Sequence, residues 1–250
     1  VFPVGAITRG LEGEAMAELG EMFDAGVRVF SDDGRCVPNA RVLRNALTYV
    51  SAFEAAVIAE HCEDASLAEG GQMHEGSVSS SLGLAGQPRE AEEVVVARDL
   101  EVAKLTAGRL HLCHLSSAGS VEMVRRAKAE GLRVTAEVTP HHLVFGEEDL
   151  VTYDTNMKMN PPLRSDGDRS ALRAALADGT IDVVATDHAP HAVEEKEAEF
   201  DQAPFGTIGL ETALAALLTH LVEPGELSFS RAIEAMSTTP ARILGAHDHG

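Results

Sequence analysis

The chain has 250 residues, 44% hydrophobic and 24% charged, a composition and size that suit one soluble α/β domain. Forty acidic against 20 basic side chains give a formal charge of −20, which argues against a nucleic-acid binder and requires a local positive centre for any anionic ligand. Cys36, Cys62 and Cys113 form no disulfide framework and point to a reducing, cytoplasmic setting, and no run reaches the ~18 apolar residues of a membrane span.

The first strand candidate is Val1 to Ile7, with no Met and no basic stretch before an apolar run, so it does not read as a signal peptide. Both ends, Val1 and Gly250, are expected to lie inside a longer chain. A helical pattern over Gly13–Ala25 precedes a strand at Val27–Phe30. A helix over Asn39–Phe53 leads to a strand at Val57–Ala59, and a long connection then runs from Glu63 to about Pro88. A helix over Glu90–Thr106 precedes a strand at Leu110–His114, and one over Ser120–Glu130 precedes a strand at Val134–Val138. A helix over Arg169–Ala177 precedes the last strand, Ile181–Ala185, followed by a second long connection from His188 to about Phe205. Gly26, Gly108, Gly131 and Gly179 stand where helix C-caps are expected. The acidic tract Glu194–Glu197 is expected to face solvent. Strands alternating with helices predict a parallel sheet, and on pattern alone both a doubly wound sheet and a barrel stay open. No glycine-rich phosphate loop follows any strand.

Four of the six strand candidates run into Asp or His at their C-terminal ends: Asp32–Asp33, His61, His111 to His114, and Asp187–His188. In a barrel these ends converge on one mouth, where active sites lie. Imidazoles and carboxylates meeting there can hold Zn²⁺ and leave room for water, whose pKa the ion lowers from ~16 to about 7. A free carboxylate nearby can take the proton and hand it to a leaving nitrogen, and Asp187 is the candidate. Taken singly each residue has an ordinary reading: Asp-Asp-Gly is a turn, a His after a strand is a hydrogen-bonded loop residue, and Asp182 is a surface residue at a strand edge. His111 and His114, three apart, are expected on opposite faces of their strand.

The segments Phe30–Gly34 (Phe-Ser-Asp-Asp-Gly), His61–Asp64, His111–Ser117, Glu137–Leu143, Asn160–Arg164 (Asn-Pro-Pro-Leu-Arg) and Ala185–His191 (Ala-Thr-Asp-His-Ala-Pro-His) together resemble bacterial type I dihydroorotases of the amidohydrolase superfamily. Pro204–Gly206, Gly209–Glu211 and Ser237–Arg242 extend the likeness to about Leu244. The resemblance implies a (β/α)₈ TIM-like barrel of the metal-dependent hydrolase type. It places the six strands as the third to the eighth, so that residues 1–250 form a single partial catalytic domain lacking the first two strands and a flanking β-sandwich. It implies metal ligands Asp33, His61, His114 and Asp187, with Asp187 also the catalytic base, and substrate contacts from Asn160, His191, Phe205 and Gly206. The implied activity is the reversible hydrolysis of (S)-dihydroorotate to N-carbamoyl-L-aspartate in pyrimidine synthesis, with one or two Zn²⁺ per subunit. A homo-oligomer and a partnership with aspartate transcarbamoylase are implied as well.

The family's His-x-His-x-Arg triplet on the first strand does not occur here. Residues 1–250 alone are therefore expected to be unstable and inactive; dihydroorotate turnover by the purified segment would overturn this. Allantoinase and dihydropyrimidinase resemble the chain too, but carry a carboxylated lysine on the fourth strand where this sequence ends Phe-Ser-Asp-Asp-Gly. A non-catalytic dihydroorotase-like partner of aspartate transcarbamoylase is the other alternative, and the retained ligands speak against it.

Overall fold

The computed structural model describes residues Val1–Gly250. In chain order the elements are β1 (Val4–Gly5), α1 (Leu19–Asp24), β2 (Val29–Ser31), α2 (Ala40–Val50), β3 (Val57–Glu60), α3 (Ala65–Ala68), β4 (Met73–His74), α4 (Ser77–Leu82), β5 (Gly86–Gln87) and α5 (Glu90–Thr106). Then come β6 (Leu110–Leu112), α6 (Ala118–Ala129), β7 (Val134–Val138), α7 (Pro140–Val144), α8 (Asp166–Asp178), β8 (Val183–Val184), α9 (Val193–Lys196), α10 (Ala213–Leu217), α11 (Phe229–Ile233) and α12 (Thr239–Ile243).

Six strands form one parallel sheet in the order β1-β2-β3-β6-β7-β8, each beside its predecessor apart from the excursion through β4 and β5. The register aligns Val29 with Val57 and Leu110 with Val134, so aliphatic side chains stand in rows across the sheet. β3 is buried on both faces, as parallel strands covered by helices are. The covering layer includes α2, whose Val42, Leu43, Ala46, Leu47 and Val50 lie on one buried stripe. Asn39 caps α2 and Ser117 caps α6 by accepting backbone N–H groups. α5 keeps the predicted bounds, and β7 does as well.

The helix expected over Gly13–Ala25 is only Leu19–Asp24. Before it the chain turns back on the segment just past β1: Met16 bridges Thr8, Arg9 N–H donates to the Ala15 carbonyl, and Ala17 N–H donates to the Ile7 carbonyl. Those backbone groups are committed across the turn and cannot form helical bonds. At the end of α5 the left-handed residue is Ala107, one before the glycine expected to take that role. The connection after Glu63 is not a bare loop, since it carries α3, α4 and a small parallel pair of β4 with β5. In the second connection Glu194, Glu195 and Glu197 face water, whereas Lys196 turns inward and donates to the Thr155 and Pro204 carbonyls at 2.9 and 2.8 Å. Asp182 is half-buried and not a free surface residue: its carboxylate accepts from Ala136 N–H on β7 and from Lys128 on α6.

Candidate metal centre

Each candidate ligand sits just past the end of a different strand: Asp33 after β2, His61 after β3, His114 after β6 and Asp187 after β8. The sharp exits are visible in the backbone. His114 has φ +31° and Asp187 φ +47°, a region that L-residues with a side chain occupy only when their surroundings hold them there. For His114 the hold is explicit, since its N–H donates to a Glu137 carboxylate oxygen at 3.3 Å and the next N–H, of Leu115, donates to the Glu137 carbonyl. Of the two adjacent aspartates after β2, Asp32 is buried and accepts from the backbone N–H groups of Ile7 and Thr8. That commits Asp32 to joining the ends of β1 and β2. Asp33, with its side chain 56% exposed, faces the mouth.

Three ligand atoms meet at one point. His61 Nδ1 and His114 Nε2 are 3.1 Å apart, and Asp33 Oδ1 lies 3.3 Å from His114 Nε2 and 3.6 Å from His61 Nδ1. Hydrogen bonds from His114 and His61 hold the Asp33 carboxyl below the usual carboxylate range. Burial works against protonating His61, but Asp33 and Glu63 outweigh it and raise its pKa to about 9. The cluster thus attracts positive charge strongly. Two buried imidazole nitrogens and a carboxylate oxygen open to the mouth, turned toward each other, are a donor set that suits zinc or a similar divalent ion. Asp187 does not belong to this tight group, although it lines the same cavity of about 530 Å³ with Asp33 and His114. Burial raises the Asp187 pKa; His114 opposes the rise, while Asp33 and Glu137 add to it.

The expectation that His111 and His114 face opposite sides of the sheet is corrected: both line this cavity. β6 ends at Leu112, and the left-handed turn at His114 breaks the two-residue alternation on which that expectation rested. His111 bonds Glu137 at 2.9 Å and Thr135 at 2.8 Å on the neighbouring strand. His111, Cys113 and Glu137 form a second group with metal-ligand atoms close together.

The four substrate candidates do not gather around one point. Asn160 donates to Glu63 at 2.7 Å, and Glu63 lies 3.7 Å from His61 Nε2, so Asn160 reaches the ligand group through one carboxylate. His191 bonds the Phe205 carbonyl at 2.8 Å, and Gly206 N–H donates to Lys158. His191 and Gly206 line a separate recess at the loop that follows Asp187. Gly206 has φ +134°, and a Cβ there would sit 2.7 Å from the Ala189 carbonyl oxygen. Sequence reasoning gave no role to Glu63, Glu137 or His111. Glu137 could have been found as the one acid on an aliphatic strand, and Glu63 as an acid two residues past a ligand.

A family model described as dihydro-orotase-like matches residues 1–120. Over 245 residues the chain is 56% identical to the dihydroorotase of Pelotomaculum thermopropionicum, covering 98% of this chain and 57% of that protein. It is 54% identical over 252 residues to the dihydroorotase of Leifsonia xyli subsp. xyli, covering 100% of this chain and again 57% of the relative. The chain thus spans a little over half the length of the curated relatives it matches. Among solved structures, the L-hydantoinase (dihydropyrimidinase) of Arthrobacter aurescens superposes with a TM-score of 0.82 at 29% identity, covering 98% of this chain and 56% of that one. The six-stranded parallel sheet with its covering helices fits the partial α/β barrel implied by the resemblance, and the chain is similar along almost its whole length to these dihydroorotases and, in fold, to the L-hydantoinase.

Proposed function

We propose that the complete protein is a metal-dependent dihydroorotase that interconverts (S)-dihydroorotate and N-carbamoyl-L-aspartate. The observation that carries this reading is the convergence of Asp33, His61 and His114 from three strand ends, in a chain 56% identical to a dihydroorotase. These three residues, with Asp187 across the cavity, would hold one or two Zn²⁺ ions. When bound, the ion supplies Lewis acidity to an amide carbonyl and lowers the pKa of an attacking water.

The remaining chemistry belongs to the side chains. Hydrolysis adds water across the ring amide bond: oxygen to the carbonyl carbon, a proton to the departing nitrogen. Asp187, whose pKa burial raises, suits both halves as the base that takes the proton and the acid that returns it. Glu137 holds the strained His114 backbone in place. Asn160, His191 and the Phe205–Gly206 backbone contact the substrate in this reading. In this reading residues 1–250 form a single, partial catalytic barrel domain of the complete protein. A cytoplasmic location, self-association and a complex with aspartate transcarbamoylase belong to the same proposal and rest on the resemblance.

A hydantoinase or dihydropyrimidinase activity is the second reading, supported by the L-hydantoinase superposition. Assaying the complete protein with dihydroorotate, allantoin and dihydrouracil, before and after chelation and zinc restoration, separates them. Dihydroorotate is expected to turn over fastest, with activity lost on chelation and regained with zinc. Preference for dihydrouracil would replace the proposal by its alternative.

A further inference from the structure

Glu63 follows β3 by three residues, and its side chain is 19% exposed. One of its oxygens, Oε2, receives Nδ2 of Asn160 at 2.7 Å and Nε2 of Gln87 at 2.8 Å, and the same oxygen faces His61 Nε2 at 3.7 Å. A carboxylate only accepts hydrogen bonds, so each amide can approach it only through its NH₂ group. An asparagine amide free to turn over could offer a ligand either end; here one orientation is enforced. The consequence falls on Asn160 Oδ1, which is buried and has no hydrogen-bond partner. A buried carbonyl left unpaired is costly, and it marks the place where a ligand donor belongs.

We infer that Glu63 is a positioning residue that locks the Asn160 amide with its oxygen presented to the ligand, so that the site selects a cyclic amide bearing a ring N–H. The inference rests on the cyclic-amide reading above and refines it. It separates two kinds of ligand that the ligand cluster alone treats alike, those that can donate from a ring nitrogen and those that cannot. A site built around a ligand N–H rejects analogues lacking it far more strongly than a purely apolar pocket rejects a misfit, because its own polar group is then stranded. Gln87, at the end of β5, shares the carboxylate, so the small β4–β5 pair helps to hold the lock.

The test uses the complete, zinc-loaded protein, with dihydroorotate as substrate and its N1-methyl and N3-methyl derivatives as competing ligands. Measurements are kcat, KM, calorimetric Kd of each derivative, zinc content and thermal midpoint. In E63Q the KM is expected to rise about tenfold while kcat falls less than about threefold, with zinc content unchanged. The wild-type preference for dihydroorotate over one of the methyl derivatives should shrink by about tenfold in the same variant. N160L should show the same loss of preference, and E63Q should add little to it, as coupled residues do. Wild-type KM and undiminished preference in E63Q overturn the inference. So does loss of zinc in step with loss of activity, which would confine Glu63 to His61. Should E63Q fail to fold, an undiminished preference in N160L decides against the inference. A wild-type protein inactive on every cyclic amide brings down the functional reading and the inference with it, whereas an active wild type with an unaltered E63Q brings down the inference alone.

Discussion

Asp187 and Asp33, both just past strand ends, are set to opposite protonation tendencies. Asp33 faces two imidazoles whose hydrogen bonds keep it ionised, while Asp187 is partly buried and its pKa moves upward. Asp187→Asn keeps the shape and removes the titratable proton site. In the complete protein turnover is expected to fall by at least about a thousandfold, with circular dichroism and thermal midpoint close to wild type. Retained activity would place the base elsewhere. These residues were legible because the sequence put an Asp or His at four strand ends, a positional pattern that composition does not produce. Their helpers were not legible: nothing in the sequence says that Glu63 reaches Asn160, 97 positions away. Likewise the partner of His111 is set by strand register, which aligns it with Thr135 beside Glu137.

At the scale of elements, the turn from β6 into α6 hangs on one buried acid of α5. Glu92, 3% exposed, accepts the backbone N–H groups of Ser116 and Ser117 and the Ser116 hydroxyl, and Arg164 donates to that same hydroxyl. Glu92→Ala would strand two buried N–H groups, so urea denaturation should show a loss of about 2–4 kcal/mol, with Glu92→Gln costing less because it keeps an acceptor. A change below about 0.5 kcal/mol for the alanine variant would mean the turn holds itself. α2, with its apolar stripe and Asn39 cap, could be placed from sequence to within three residues, and α5 to the residue. α1 could not, since its apparent first half is held by antiparallel bonds to Ile7, Thr8 and Arg9, just past β1, a tertiary commitment that overrides the helical pattern.

For the whole molecule, the strand–helix alternation announced a parallel sheet, and only the motif resemblance singled out the barrel over a doubly wound sheet. The titration behaviour is a property of the assembled fold. Burial lowers the pKa of His142 to about 3, and burial with nearby Arg164 and Arg89 lowers that of His74 to about 4. A histidine whose folded pKa lies below its unfolded value of 6.5 stabilises the fold above that value, and the contribution drains away as pH falls toward the folded pKa. His61 has the opposite sign. In ion-free protein its contribution is full below pH 6.5 and is lost as pH rises through about 9. Thermal midpoints of the ion-free complete protein should therefore fall on both sides of a maximum near neutrality, and His142→Gln should flatten the acid limb. A midpoint constant from pH 4 to 7 would contradict this.

The loop after β8 is tied down by two ammonium groups bonded only to backbone carbonyls. Lys158, 2% exposed, donates to Phe200 and Asp201, and Lys196 donates to Thr155, Lys158 and Pro204. The other two of the chain's four lysines, Lys104 and Lys128, are paired with carboxylates. Chemistry at the amines thereby becomes a clock for the loop. An acylating reagent should mark Lys104 at once and reach Lys158 only when the segment lifts, so the lag between the two signals measures how often this loop opens. Equal labelling rates at the two sites would mean the carbonyl clasp does not hold in solution.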